Sequence, residues 1–527
     1  MSLNQNERND LGGAPGDWDP ILGQARAFLV GAGPGHPGLL TLRGRDILTR
    51  AQVVLYDRLV NPRLLEYCPA PCEKICVAGL DGTHPERWPE ICKLLVEKAL
   101  SHQVVVRLKG GDPFLFGRGA EECEALIAAG IPFEVVPGVS SGLGAPAWAG
   151  VPVTHRQLSS AVAFVTAHEP AEKESLIQWD ALAKFPGTLV FFMPLRQIAQ
   201  LRDRLVAQGK PAETQVALIE KGTRCDQRVK ITTLAEMPDA AQGLVSPTLV
   251  VIGEVVAFRK SLNWTEKRPL SGLPILLTRP ANQARATLNA YEAWGATVEN
   301  EPIVELCPVD DWEPIDRILD TLARFSWIVF TSAMGVTIFF ERMEQRGYDA
   351  RKLAQSRLAC IGPSTASALA EYRIRPDLVA SSYSSETLAL ELGNQLAGGE
   401  VLLFRADRGR DLLAIELAKK AAITQITAYR QRDLDRLPPR RVKEIQDRKW
   451  RWVVLGSANI ARGFARLMKN EAIAPSQFPL IAAISPITAQ ALGESGVQAD
   501  AIAETYTMMG AAQAIAKWEN EKRRPTI

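Results

Sequence analysis

The chain has 527 residues, with 61 basic against 59 acidic side chains, a net charge of +2 and 46% apolar content. That length and apolar fraction suit two to four domains with large cores. A nearly balanced charge, with no block of one sign and no interleaving of aromatic and basic residues, argues against nucleic-acid binding. No apolar run reaches membrane-spanning length, and the eight scattered cysteines with no signal-type opening segment lead us to expect a reducing, cytoplasmic setting.

Residues 1–24 are rich in Asn, Gly, Asp and Pro and predict a disordered leader. An apolar strand then runs into VGAGPGHPGLLTLRG, Val30 to Gly44. Gly33, Gly35 and Gly38 there spell GxGxxG, and Asp57 in VVLYDRLV follows at a distance suited to a ribose, which is the pattern of an NAD-dependent dehydrogenase. Against that alternative, Pro34 and Pro37 remove two backbone N–H groups that a pyrophosphate cradle would use. A second glycine cluster, RLKGGDPFLFGRG from Arg107 to Gly119, also has no place in that fingerprint. The β-branched run Gln103 to Leu108 puts Gly110-Gly111 at the carboxyl end of a strand, where open α/β sheets bind ligands, and Asp112-Pro113 then forces a turn. Cys68, Cys72 and Cys76 recur every four residues, but Pro69 and Pro71 interrupt any helix there. Without a closing C-x-x-C, buried structural thiols are expected and no metal site.

These segments, together with VVPGVSSG (Val135 to Gly142), GVPVTHR (Gly150 to Arg156), VFFMPL (Val190 to Leu195), ALIEKGT (Ala217 to Thr223) and SPTLVVIGEVV (Ser246 to Val256), resemble the uroporphyrinogen-III C-methyltransferases over residues 25–263. The resemblance implies two α/β subdomains with S-adenosylmethionine held between them. It places Pro34, Gly110, Gly111, Asp112, Leu115, Ser140, Ser141, Met193 and Gly222 around that cofactor and makes Asp57 the general base. The acceptor carries eight carboxylates, for which Arg43, Arg118 and Arg156 are candidate anchors. A homodimer through this domain is also implied. Two positions depart from the family pattern: His36 stands where aspartate is usual, and Gly79 where many members have a lysine proposed as proton donor. A regulatory module that binds S-adenosylmethionine without turnover is the competing reading.

A polar stretch at residues 264–273 reads as a linker. Beyond it Ile275 to Thr278 begins a strand–helix unit, and an internal repeat follows. WIVFTSAMGV (Trp327 to Val336) recurs as WVVLGSANIA (Trp452 to Ala461), and IGPSTASAL (Ile361 to Leu369) as ISPITAQAL (Ile484 to Leu492). Two similar α/β lobes facing across a cleft are therefore expected. Strand-end hydroxyls and helix N-termini make anion sites there, with Thr331, Ser332, Thr365, Ser457 and Thr488 as candidates for binding substrate.

With ITAYRQR (Ile426 to Arg432) added, this half resembles uroporphyrinogen-III synthase over residues 274–522. The resemblance implies lobe I at 274–308 plus 430–522 and lobe II at 309–429. The chain would cross near Leu306–Val309 and Thr427–Gln431, and Tyr429 would assist departure of the substrate hydroxyl. The expected fold class is α/β: a two-subdomain tetrapyrrole methyltransferase fold followed by a bilobal synthase-like domain. Together the resemblances imply closure of hydroxymethylbilane to uroporphyrinogen III and its methylation at positions 2 and 7 to precorrin-2, for sirohaem or cobalamin. The partners so implied are small tetrapyrroles and S-adenosylmethionine, with no metal, nucleic acid or membrane.

Overall fold

A computed structural model describes residues 25–77, 88–167, 177–382, 384–408 and 411–523. The expected leader and Gly79 lie outside the described residues. The chain divides into two compact units between Gly272 and Leu273.

The first unit holds two five-stranded sheets. Strands β1 (Ala27–Gly31), β2 (Val53–Tyr56), β3 (Glu73–Cys76), β4 (Val105–Lys109) and β5 (Phe133–Val136) are all parallel, in the order β3-β2-β4-β1-β5. Alternate residues of these strands feed two cores. Phe28, Val30, Val54, Val106 and Leu108 pack with Ile47 and Leu64, while Ala27, Leu29, Val53, Leu55 and Val105 pack with Leu95 and Leu126. A parallel sheet covered on both faces reads as continuous apolar runs, as these strands do. Cys68 and Cys72 belong to the first of these cores, and burial pushes the Cys68 thiol up to about 12.

The second sheet joins β6 (Val162–Thr166), β7 (Thr188–Phe192), β8 (Gln215–Glu220), β9 (Arg228–Thr233) and β10 (Thr248–Ile252) in the order β6-β7-β10-β8-β9. Only β6 and β7 pair in parallel. Of residues 264–273, read from sequence as a linker, 264–272 belong to the first unit. Trp264 Nε1 donates to the Ala147 carbonyl at 3.1 Å, Thr265 Oγ1 donates to that of Trp148 at 3.0 Å, and Leu270 is wholly buried. Polar composition hid the two apolar side chains, Trp264 and Leu270, that hold the segment down.

The second unit begins with β11 (Pro274–Leu277) and β12 (Thr297–Asn300), followed by β13 (Val304–Cys307), β14 (Phe325–Phe330), β15 (Arg357–Cys360) and β16 (Leu378–Val379). Next come β17 (Glu400–Ala406), β18 (Ala422–Asp433), β19 (Trp452–Leu455), β20 (Leu480–Ala483) and β21 (Ala501–Ile502). One sheet runs β12-β11-β19-β20-β21, the other β13-β18-β17-β14-β15-β16. The chain thus leaves the first sheet after β12 and returns to it at β19. The ends of that excursion meet as a ribbon, with Val304–Cys307 pairing antiparallel to Arg430–Asp433. In each sheet the earliest strand of the doubly wound part lies inside, β11 between β12 and β19, and β14 between β15 and β17. Each sheet therefore has a point where the strand order reverses, and ligands bind outside the carboxyl ends of strands at such points. No helix among the described residues is long and apolar enough to cross a membrane.

Candidate functional site

In the first unit three glycine loops meet backbone to backbone. The Gly111 N–H donates to the Gly33 carbonyl at 2.8 Å and the Gly33 N–H to that of Gly111 at 3.2 Å. A Cβ on Gly138 would lie 2.2 Å from the Gly111 carbonyl oxygen, and one on Gly31 would lie 2.5 Å from Gly138 Cα, so no larger residue fits either position. Asp112 ties the same loops together, Oδ1 accepting from Phe114 N–H at 2.9 Å and Oδ2 from Gly138 N–H at 3.0 Å. The opening loop also reaches the second subdomain. The His36 N–H donates to Thr223 Oγ1 at 3.0 Å, Pro34 packs against Gly144, and a Cβ on Gly222 would lie 2.2 Å from Ala145 Cβ.

Gly110 differs from these, because its Cβ would meet only Leu59 Cβ at 3.8 Å. The Gly110-Gly111 turn therefore presents open backbone between the joined loops, a cradle that a side chain would fill, and this fits a flat, polar-edged cofactor approaching the main chain. The surrounding backbone is unusual as well. Phe116, Arg118, Met193, Lys221 and Thr223 have φ between 50° and 69°, and Thr223 is both β-branched and buried. Non-glycine residues in the left-handed region cost energy and cluster at functional sites.

Asp57 follows β2 at the edge of this cradle. Its Oδ1 accepts from Arg107 Nη2 at 2.5 Å and its Oδ2 from the Gly110 N–H at 3.3 Å. Behind it Arg107 Nε donates to Glu122 Oε1 at 2.7 Å, and Lys109 Nζ lies 2.8 Å from Glu122 Oε2. Lys109, Glu122, Arg107 and Asp57 form a line of alternating charge, and of the four only Asp57 reaches the surface. Burial lowers the Lys109 pKa, and neighbouring Arg107 adds to that effect. Burial also works to lower that of Arg107, but Asp57 and Glu122 outweigh it and hold the guanidinium charged. Sequence reasoning missed this line. The available signal was that Arg107 and Lys109 alternate with Val106 and Leu108 on a buried strand, so a buried carboxylate had to answer them.

The remaining expected residues fall as follows. Ser140 is buried and caps the helix Ser141–Trp148 by accepting from Gly142 N–H at 3.1 Å. Leu115 packs on the second-sheet core, and Met193 is half exposed just after β7. Arg118 lies over the Trp88 ring at 5.4 Å, and Arg156 is exposed. Arg43 is held by Glu134 through two bonds of 2.8 and 2.6 Å, so its guanidinium fork is already filled by a carboxylate of the protein.

In the second unit Ser332 and Ser457 are the N-caps of helices Ala333–Gln345 and Ala458–Asn470, accepting from Gly335 N–H at 3.0 Å and Ile460 N–H at 3.2 Å. Thr331 precedes Ser332 at the end of β14 and is half-buried. Thr365 and Thr488 correct the expectation for their type. Each is 1% exposed within the first turn of its helix, where packing takes the hydroxyl out of solvent's reach. Tyr429 is 5% exposed in the core formed around Phe330 and Phe339, and its hydroxyl donates to Ser332 Oγ at 3.1 Å. Burial raises its pKa against the opposing pull of hydrogen bonds with Ser332 and Gln431.

Comparison with known proteins also divides the chain in two, and the boundary between the units falls in the unmatched residues 239–285. Residues 27–238 match the family of Tetrapyrrole (Corrin/Porphyrin) Methylases, and residues 286–513 match Uroporphyrinogen-III synthase HemD. Porphyrin biosynthesis protein HemD of Ruminiclostridium josui is 33% identical over 446 residues, covering 84% of this chain and 88% of that protein. An S-adenosyl-L-methionine-dependent uroporphyrinogen III methyltransferase of Methanosarcina barkeri is 47% identical over 44% of this chain and 92% of its own length. Among solved structures, uroporphyrin-III C-methyl transferase of Thermus thermophilus complexed with S-adenyl homocysteine is 37% identical, covering 44% of this chain and 99% of that one with a TM-score of 0.39. The chain belongs to the tetrapyrrole methylases through its first unit and to the uroporphyrinogen-III synthases through its second.

Proposed function

We propose that the second unit closes hydroxymethylbilane to uroporphyrinogen III and that the first unit methylates this product at positions 2 and 7, giving precorrin-2. The observation that carries the reading is the open Gly110-Gly111 cradle beside Asp57, in a chain whose other half belongs to the family that makes the acceptor. S-adenosylmethionine, when bound, supplies an electrophilic methyl group for an in-line displacement. Gly110 and Gly111 admit its approach to the main chain, while Pro34, Asp112, Leu115, Ser140, Ser141, Met193 and Gly222 shape the surrounding wall. The Asp57 carboxylate takes up the proton that the tetrapyrrole loses, and Arg107 with the Gly110 N–H keeps it aimed at the cradle. Arg118 and Arg156 meet acceptor carboxylates. Positioning and exclusion of water supply most of the acceleration. The dehydrogenase alternative is disfavoured, since the Gly33 N–H that a pyrophosphate would need is taken by Gly111.

In the second unit the Tyr429 hydroxyl, hydrogen-bonded to Ser332 Oγ, donates a proton to the departing hydroxyl, which leaves as water as its C–O bond breaks, and the proton released on ring closure restores the phenol. Thr331, Ser457 and first-turn N–H groups of the two capped helices hold substrate carboxylates. We assign residues 25–272 to the methyltransferase and 274–522 to the synthase, with a homodimer through the former and a cytoplasmic location. The test is incubation of the intact protein with hydroxymethylbilane and labelled S-adenosylmethionine, followed by mass analysis. The expected product is a type III tetrapyrrole carrying two added methyl groups. Type I isomer alone defeats the synthase assignment, and saturable S-adenosylmethionine binding without methyl transfer favours the regulatory module.

A further inference from the structure

Arg279 stands at the point of strand-order reversal in the β11-containing sheet, directly beyond the carboxyl end of β11. Its position is fixed from several sides. Thr278 Oγ1 donates across the reversal to the Val454 carbonyl on β19 at 2.7 Å. Asn300, at the end of β12, accepts from the Arg279 N–H at 3.0 Å and donates to its carbonyl at 2.9 Å. The guanidinium is held as firmly, Nη1 donating to Thr287 Oγ1 at 3.0 Å and Nη2 to Gln283 Oε1 at 3.1 Å, both on the helix Ala281–Ala293.

Both of those partners are neutral. Elsewhere in this unit a shielded arginine has a carboxylate: Arg441 meets Glu299, Glu301 and Glu444, Arg342 meets Asp316, and Arg405 meets Asp411. Arg279 is half-buried, and no ion pair joins it to a carboxylate among the described residues. Burial accordingly lowers its pKa, opposed only by Tyr291. The Tyr291 hydroxyl is itself buried and donates to the Met508 carbonyl, and its own pKa is raised by burial. A guanidinium clamped in a fixed orientation, partly desolvated and lacking a counter-charge is prepared for an anion arriving from outside.

We propose that Arg279 is a carboxylate-recognition residue of the synthase unit, pairing with one side-chain carboxylate of the tetrapyrrole. Two of its N–H directions are spent on Thr287 and Gln283, and the rest of the fork serves the ligand through charge-assisted hydrogen bonds. The placement follows from topology, because the reversal between β11 and β19 is where an open α/β sheet receives its ligand. The inference rests on the synthase reading of this unit.

The test uses the full chain, without S-adenosylmethionine, and measures steady-state formation of uroporphyrinogen III from hydroxymethylbilane together with the melting temperature. Arg279→Gln is expected to raise KM by about tenfold to a hundredfold, the range for loss of a charge-assisted bond. Arg279→Lys, which keeps the charge but not the fork, is expected to fall between it and the wild type. Melting temperature should be unchanged or higher in Arg279→Gln, since a desolvated charge is removed. KM within twofold of wild type in both variants overturns the proposal. So does a raised KM accompanied by a clear loss of melting temperature in both, which makes the residue structural. Failure of the wild-type chain to form the type III isomer is a failure of the synthase reading instead, visible before any variant is compared.

Discussion

The two units build their sites from opposite materials. In the first, the candidate site is a place where ordinary backbone does not go: glycines whose Cβ positions are filled by other main chain, and five non-glycine residues in the left-handed region. In the second, the left-handed non-glycine residues Arg373, Arg448 and Ala472 each follow the C-cap of a helix, where that conformation is routine. Its candidate groups, Ser332 and Ser457, are helix caps that would be useful without any ligand. The candidate site of one unit is built from strained backbone and close approach, that of the other from features that also stabilise the fold. The first should therefore fail sharply when a site residue is changed, and the second gradually.

The largest effect is expected at Gly138. Gly138→Ala places a methyl group 2.2 Å from the Gly111 carbonyl oxygen, which forces the glycine loops apart. Methylation and S-adenosylmethionine binding should fall below detection while uroporphyrinogen III formation by the same protein is unaffected. Gly110→Ala sharpens the point. With only Leu59 near at 3.8 Å the fold should persist, so a lost affinity at unchanged melting temperature would place the cofactor over Gly110. Retained affinity in Gly110→Ala would remove the cradle from the site.

Asp57→Asn comes next, with methylation expected to slow by about 10²- to 10⁴-fold, the usual span for a general base. S-adenosylmethionine affinity should hold, because an asparagine side chain at this position still fits beside Arg107. Glu122→Gln probes the charges behind it and should act differently. It leaves Arg107 and Lys109 buried without their shared carboxylate and is expected to destabilise the first unit by about 3–5 kcal/mol. Chemical denaturation reports this directly. An unchanged midpoint would show that the buried line does not hold the strand end.

The strand ends, the glycine loops, the repeated strand–serine–helix pattern and the membership of each half were legible in the sequence because each is local. Gly110-Gly111 follows a β-branched strand, and Ser332 and Ser457 stand at the spacing of helix caps. Contacts far apart in the chain were not legible. Nothing in RLKGGDP says that Arg107 will join Glu122 to Asp57, fifty residues upstream of it, or that Glu134 will occupy Arg43. Thr365 and Thr488 resemble the cap residues Ser332 and Ser457 in type, yet each is the third residue of its own helix, which begins after Gly362 and Ser485 respectively, and turns inward where a cap does not. The segment at 264–273 was misjudged for a similar reason, since average polarity outweighed two side chains that pack.

The smallest effects are expected where site and scaffold coincide. Tyr429→Phe removes one hydroxyl from a residue that is otherwise core, so ring closure should slow by about tenfold, below the full span of acid–base catalysis, at nearly unchanged stability. Ser332→Ala removes a helix cap, costing about 1 kcal/mol, and also takes the hydrogen-bond acceptor from Tyr429. If the two hydroxyls act as one unit, the double variant should be no slower than the slower single variant, the non-additivity that marks direct coupling. Fully additive rate losses would mean that Ser332 only caps its helix while Tyr429 works alone. Unchanged turnover in Tyr429→Phe would give the ring a packing role and leave ring closure to the conformation that the two lobes impose on the bilane.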